Sequence, residues 1–212
     1  MEFAGDRAPQ GGLSLVRDTV QPSGTVSRAP VLVALRSATR DAHDRLESKL
    51  DILARLHDRP LYTRFLVGLH SVYAPLEESV SACALTRFAI PDWSLRAKSL
   101  WLAEDMQALG ASAAPIVDIR VASVEDIVGS VYVMEGATLG GAVILRELGN
   151  AGALPPHRFF FGYGDKRGSM WAAFRSQVAA LDGPKLDRGR VIQAAQRTFR
   201  AVEDACAVTS ND

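Results

Sequence analysis

Cysteine is scarce, charge is balanced and no stretch is uniformly apolar, and each absence removes a class of function. The two cysteines, Cys83 and Cys206, show neither metal-ligand spacing nor a disulfide framework. Both fall in apolar helical stretches that suit buried free thiols, so a reducing cytoplasm is the expected compartment. Lys plus Arg equals Asp plus Glu at 24 each, so no global field favours nucleic acid or an anionic membrane. No window reaches the roughly 18 consecutive apolar residues of a membrane-spanning helix, and no membrane span is expected. H-E-x-x-H, paired Glu-x-x-His and G-x-S-x-G motifs are missing, which argues against zinc, di-iron and serine-nucleophile chemistry. Gly136-Ala137-Thr138-Leu139-Gly140-Gly141 lacks the Lys-Ser/Thr ending of a P-loop and follows no strand.

Strands are missing as well, because nowhere do several β-branched runs alternate between turn signals. What remains is helical periodicity. Leu35, Ala38, Ala42, Leu46, Leu50 and Leu53 recur at spacings of three and four, predicting one helix from Val31 to about Leu56. Pro60 opens a second, with a kink or break expected near Ser71 because of Pro75. Helical character continues from Leu76 to Phe88 and returns from Leu95 to Leu109, where Gly110 is placed as a stop. Ser123 and Asp126 form the start signal of a helix running from Val124 to Leu148. An aromatic loop is expected over 158–164, then helices over 169–181 and 191–207. The reading is all-α, a single compact helical bundle over 31–207. Residues 1–30, which contain no signal-peptide pattern, are expected to form a flexible N-terminal tail, and 208–212 a C-terminal one.

The Val124–Leu148 helix carries Gly129, Gly136, Gly140 and Gly141. Interior glycine costs about 0.8–1 kcal/mol relative to alanine. Two compensations are open: close helix–helix contact, or the approach of a flat partner to bare backbone. Of the four histidines, His57 stands at a helix end, His70 packs on the second helix and His157 follows two prolines. His43 lies at the edge of the first helix's apolar stripe, with Thr39 one turn before and Glu47 one turn after. It reads either as a surface histidine beside a carboxylate or as a metal-binding imidazole oriented by a second-shell acceptor. One such histidine and one glycine-lined helix suggest a flat iron macrocycle held between two helices.

The run Leu35-Arg36-Ser37-Ala38-Thr39-Arg40-Asp41-Ala42-His43-Asp44-Arg45-Leu46-Glu47 resembles the proximal helix of heme oxygenases. Tyr132-Val133-Met134-Glu135-Gly136-Ala137-Thr138-Leu139-Gly140-Gly141 resembles their distal helix, particularly in bacterial members. The likeness spans roughly 31–207. It implies His43 as axial ligand to heme iron, Glu47 supporting it, and Gly136, Gly140 and Gly141 as backbone lying close over the porphyrin. It also implies Arg36 and Arg175 near the propionates, where a guanidinium fork matches a carboxylate, with Tyr132 at the heme edge or in the core.

The implied activity is cleavage of heme, at once cofactor and substrate, to biliverdin, carbon monoxide and ferrous iron. Dioxygen and an external electron donor, such as a ferredoxin or reductase, are required. The product would feed a bilin-binding photoreceptor or a heme-uptake system. The sequence departs from animal-type members at Ala137, where they carry an aspartate that anchors a distal water network. That departure leaves a noncatalytic heme-binding sensor, store or chaperone as the alternative. A thiaminase-like hydrolase on the same scaffold would need a nucleophile, and neither cysteine lies in a recognisable catalytic setting.

Overall fold

The computed structural model describes residues 30–50, 58–150 and 156–207, with side chains at all of these except 47–50 and 147–150. The expected tails and His57 lie outside the described residues. Among the described residues there are eight α-helices: α1 (Val31–Leu50), α2 (Arg59–Ala82), α3 (Thr86–Ala89), α4 (Ser99–Leu109), α5 (Val124–Asn150), α6 (Arg158–Phe161), α7 (Arg167–Leu181) and α8 (Arg188–Ala207). No strand occurs among the described residues, and the helices enclose one hydrophobic core.

α8 is the centre of the packing. Its apolar face, built from Val191, Ala195, Phe199 and Val202, meets α5, α1 and α2 in turn. Small residues set the closeness of these contacts. A Cβ at Gly129 would collide with the carbonyl of Val191 and with Ala194, and one at Gly68 with the carbonyl of Ala205. α1 runs along α8, burying Val31, Leu35 and Ala42, with Gln196 Nε2 donating to the Ala38 carbonyl at 3.2 Å.

The expected break near Ser71 does not occur: α2 continues through Pro75 to Ala82. Proline removes one N–H donor, which orphans the carbonyl four residues earlier. Here that carbonyl, on Ser71, accepts the backbone N–H of Val117 at 3.0 Å from the extended segment between α4 and α5. A second tie follows at Val121, whose N–H donates to Ser79 Oγ at 2.9 Å. The segment thus straps α2 from outside.

Other expected boundaries shift for local reasons. Gly110 ends α4 in the left-handed conformation at φ +73°. The start of α4 is capped from a distance: Glu77 on α2 accepts the backbone N–H groups of Lys98 and Ser99. Ser123 caps α5, its Oγ accepting the Asp126 N–H at 3.1 Å while Asp126 accepts from Ala122 N–H at 3.2 Å. The expected aromatic loop begins as the short helix α6. Asp105 on α4 makes this possible by accepting the N–H groups of Arg158 and Phe159 at 2.7 and 2.8 Å. Burial raises the pKa of its carboxyl. Cys206 is buried as expected, whereas Cys83 is half-buried just past the end of α2, and neither forms a disulfide among the described residues.

Candidate functional site

At about 100° per residue, Gly129, Gly136 and Gly140 fall on one side of α5 and Gly141 on another. The structure divides them further. Gly129 faces α8, and Gly141 faces the Phe160 carbonyl on α6, which an added Cβ would meet at 2.5 Å. At Gly136 and Gly140 an added Cβ meets nothing within 4 Å. One of the two compensations anticipated for the glycines, close packing, is therefore present at two of the four positions. Close packing accounts for Gly129 and Gly141, while Gly136 and Gly140 lie bare on a face that α8 covers only lower down. Ala137, Leu139, Ala142 and Val143 are exposed around them.

By length and composition α5 could cross a membrane, yet 56% of its apolar window is buried inside the protein. The buried part is the first half, through Ile127, Val128, Val131 and Met134. Exposure is concentrated after Glu135.

His43 is exposed on α1, its ring edge-on to Phe199 of α8 at a centroid distance of 6.4 Å. Asp44 approaches its Nδ1 at 3.9 Å with both groups largely in water, a pairing of little energetic weight. Thr39 is buried, with its hydroxyl donated to the Leu35 carbonyl at 2.8 Å. Glu47 lies on α1, and its side chain is outside the described residues. α1 and α5 both pack on α8 and α7.

Arg36 on α1 and Arg175 on α7 are exposed. Tyr132 is half-buried, its ring 6.1 Å from that of Trp171 on α7. Trp171 in turn stacks on Phe174 at 5.6 Å. Arg175 follows Trp171 by one helical turn, so the indole and the guanidinium share a face of α7. Trp171 was not singled out by sequence, where it is one aromatic among several at helical spacing.

The sequence also left a buried charge network unannounced. Glu135 Oε2 accepts from Arg96 Nη1 at 2.8 Å, and Oε1 accepts from Lys98 Nζ at 2.6 Å and Tyr163 Oη at 2.7 Å. Arg96, Lys98 and Glu135 are each 0% exposed. Asp92 receives two further bonds from Arg96, at 2.8 and 2.7 Å, and one from Gln177 at 2.9 Å.

Burial opposes ionisation of Asp92, but the bonds from Arg96 and Gln177 outweigh it and lower the pKa. Burial likewise works against the Arg96 cation, and its two carboxylate partners raise its pKa nonetheless. For Lys98 burial prevails and lowers the pKa despite Glu135. Burial, then Glu135, push the Tyr163 phenol up. One signal was available in the sequence: Glu135 is a lone carboxylate at the end of an apolar run, and a buried charge must find partners.

Thr138, beside Ala137, is buried and donates its hydroxyl to the Glu135 carbonyl at 2.6 Å. Its methyl lies on the side of Gly162, just past α6. Two surface concavities, of about 300 and 670 Å³, lie elsewhere, along the strap on α2 and around the α2–α3 turn.

The sequence matches the family described as Heme oxygenase over residues 29–206. The chain belongs to the heme oxygenase family. Three solved structures share its fold. A heme oxygenase from Neisseria meningitidis, determined with NO and CO bound, aligns with a TM-score of 0.68 at 20% identity, covering 85% of this chain and 92% of that one. One from Leptospira interrogans gives 0.68 at 16%, covering 85% and 100%. Heme oxygenase-1 of Synechocystis sp. PCC6803, in complex with heme, gives 0.66 at 18%, covering 86% and 93%. No curated protein sequence matches. Family and fold together support heme degradation as the general activity.

Proposed function

We propose that this heme oxygenase family member cleaves heme to biliverdin, carbon monoxide and ferrous iron, using dioxygen and electrons from an external donor such as a ferredoxin or reductase. The observation that carries this reading is the bare backbone of α5 at Gly136 and Gly140, where an added Cβ would meet nothing within 4 Å. A flat macrocycle suits such a surface, since backbone is bare there and the exposed residues around it, Ala137, Leu139, Ala142 and Val143, are aliphatic.

When bound, heme supplies the iron at which dioxygen is reduced, together with four ring nitrogens, so one protein imidazole suffices. His43 would hold the heme iron through its imidazole, and Glu47, one turn later, would support it. Arg36 and Arg175, on two helices that contact each other, are proposed to hold the two propionates. Tyr132, propped by Trp171, borders the ring. The aliphatic surface at Leu139 and Val143 excludes water from one side of it. Gly141 serves the site indirectly by letting α6 close on α5. A cytoplasmic setting, and partnership with a bilin-binding photoreceptor or a heme-uptake system, belong to the same proposal.

Ala137 favours a second reading, a noncatalytic heme sensor, store or chaperone, because the residue after the first distal glycine offers no carboxylate. One experiment separates the two. Hemin is titrated into the protein, and the complex is then given ascorbate or reduced ferredoxin in air, with catalase present to remove free peroxide. Loss of the Soret band with biliverdin formation is expected; a Soret band that persists under turnover conditions selects the binder.

A further inference from the structure

Glu135 marks a boundary in α5. Before it the helix is buried on nearly every side; after it Gly136 is half-exposed and Ala137, Leu139, Gly140, Ala142 and Val143 are exposed. Gly136, Gly140 and Gly141 crowd this second half, and glycine makes a helix easier to unwind. A surface meant to lie at a fixed height over a flat ligand therefore begins where α5 loses most of its packing.

We propose that Glu135 is a positioning residue, its buried carboxylate setting the height and register of Gly136 and Gly140 through ties to Arg96, Lys98 and Tyr163. The proposal rests on the reading of α5 as the heme-facing surface. The three donors come from two separate segments, the approach to α4 and the loop after α6. Arg96 extends the tie to α7 by donating to the Met170 carbonyl at 3.2 Å and through Asp92 to Gln177. Lys98 has its remaining acceptors in the Arg96 carbonyl at 2.9 Å and Tyr163 Oη at 3.1 Å. One carboxylate thus joins four parts of the fold at the residue before the first open glycine.

A buried ion pair adds no more stability, as a rule, than well-packed apolar groups of the same volume, so its use here calls for another explanation. Directionality supplies it. Aliphatic packing tolerates a small slide or rotation of a helix, whereas several directional bonds to one carboxylate do not. The carboxylate lies about 100° round the helix from Gly136 and accepts from three protein donors, so it acts through the backbone.

The test compares wild type with E135Q in the full-length, heme-free protein by hydrogen–deuterium exchange. At least tenfold faster exchange is expected in peptides from 137–146, with peptides in α2 and α8 within twofold of wild type. Uniform acceleration, as from a merely structural role, or no acceleration overturns the proposal. Hemin transfer to excess apo-globin is expected to be at least fivefold faster from E135Q, with an unchanged Soret position because His43 is untouched. Transfer at the wild-type rate also overturns it. Should E135Q fail to fold, Y163F removes one donor without stranding a charge, and threefold faster exchange in the same peptides is expected; wild-type exchange there counts against the anchor. Failure of the heme reading is seen separately, as absence of hemin uptake by the wild type, and removes the ligand from the proposal.

Discussion

The Ser71 carbonyl, orphaned by Pro75, takes the N–H of Val117 instead of a helical partner. A residue expected to break α2 therefore fastens a loop to it. Replacing Pro75 with alanine restores the donor that Val117 now supplants. The expected result is loss of protection at the Val117 amide with α2 intact, read by hydrogen exchange. Alanine is about 3 kcal/mol better than proline inside a helix, but release of the strap offsets part of that gain. Global stability is expected to rise by less than that figure in urea unfolding.

His43 has 56% of its side chain exposed, so little burial is lost when it is truncated. His43→Ala is expected to melt within about 0.5 kcal/mol of wild type, the range for exposed positions away from special features. If the imidazole is the axial ligand, the same variant loses the wild-type Soret spectrum and nearly all biliverdin formation. Absorbance and product analysis check this, and an unchanged spectrum and rate remove the assignment.

Legibility in the sequence followed the range of the forces involved. α1 and the start of α5 were readable because amphipathic spacing and the Ser123–Asp126 cap are local in the chain. Helix continuity at Pro75 was not, because its missing bond is compensated from residue 117. α6 escaped notice for the same reason: Asp105, more than fifty residues away, caps it. The glycines were legible as unusual but not as two kinds, since only the packed fold separates Gly141 against Phe160 from Gly140 in open space. Arg96 and Lys98 were not legible as a site because their partner, Glu135, is distant in sequence.

Asp92 gives the network a pH signature. Its pKa is lowered by Arg96 and Gln177, so its contribution is fully present above the ordinary value of 3.8 and is lost as pH falls through the lowered folded value. D92N is expected to be less stable than wild type by about 1.5–3 kcal/mol at neutral pH, nearer the lower figure because the carboxylate is a quarter exposed. The gap narrows as the solution is taken below 3.8 and Asp92 takes up a proton. Urea unfolding at several pH values measures it. A gap that is constant or widens in acid contradicts the assigned charge state.

Gly140 and Gly141 are adjacent in sequence and opposite in environment, which lets one pair of substitutions separate folding from binding. G141A places a Cβ 2.5 Å from the Phe160 carbonyl, so α6 or α5 must shift, at a cost of about 1–3 kcal/mol. G140A meets open space and gains helix propensity, so it is expected to be as stable as wild type or up to about 1 kcal/mol more so. Binding should run the other way for the larger G140L. Its side chain would occupy the space proposed for the macrocycle, weakening hemin uptake by tenfold or more while the melting temperature holds. Thermal melts and hemin titrations on the three variants give both orderings, and hemin affinity at the wild-type level in G140L would mean that the ligand lies elsewhere.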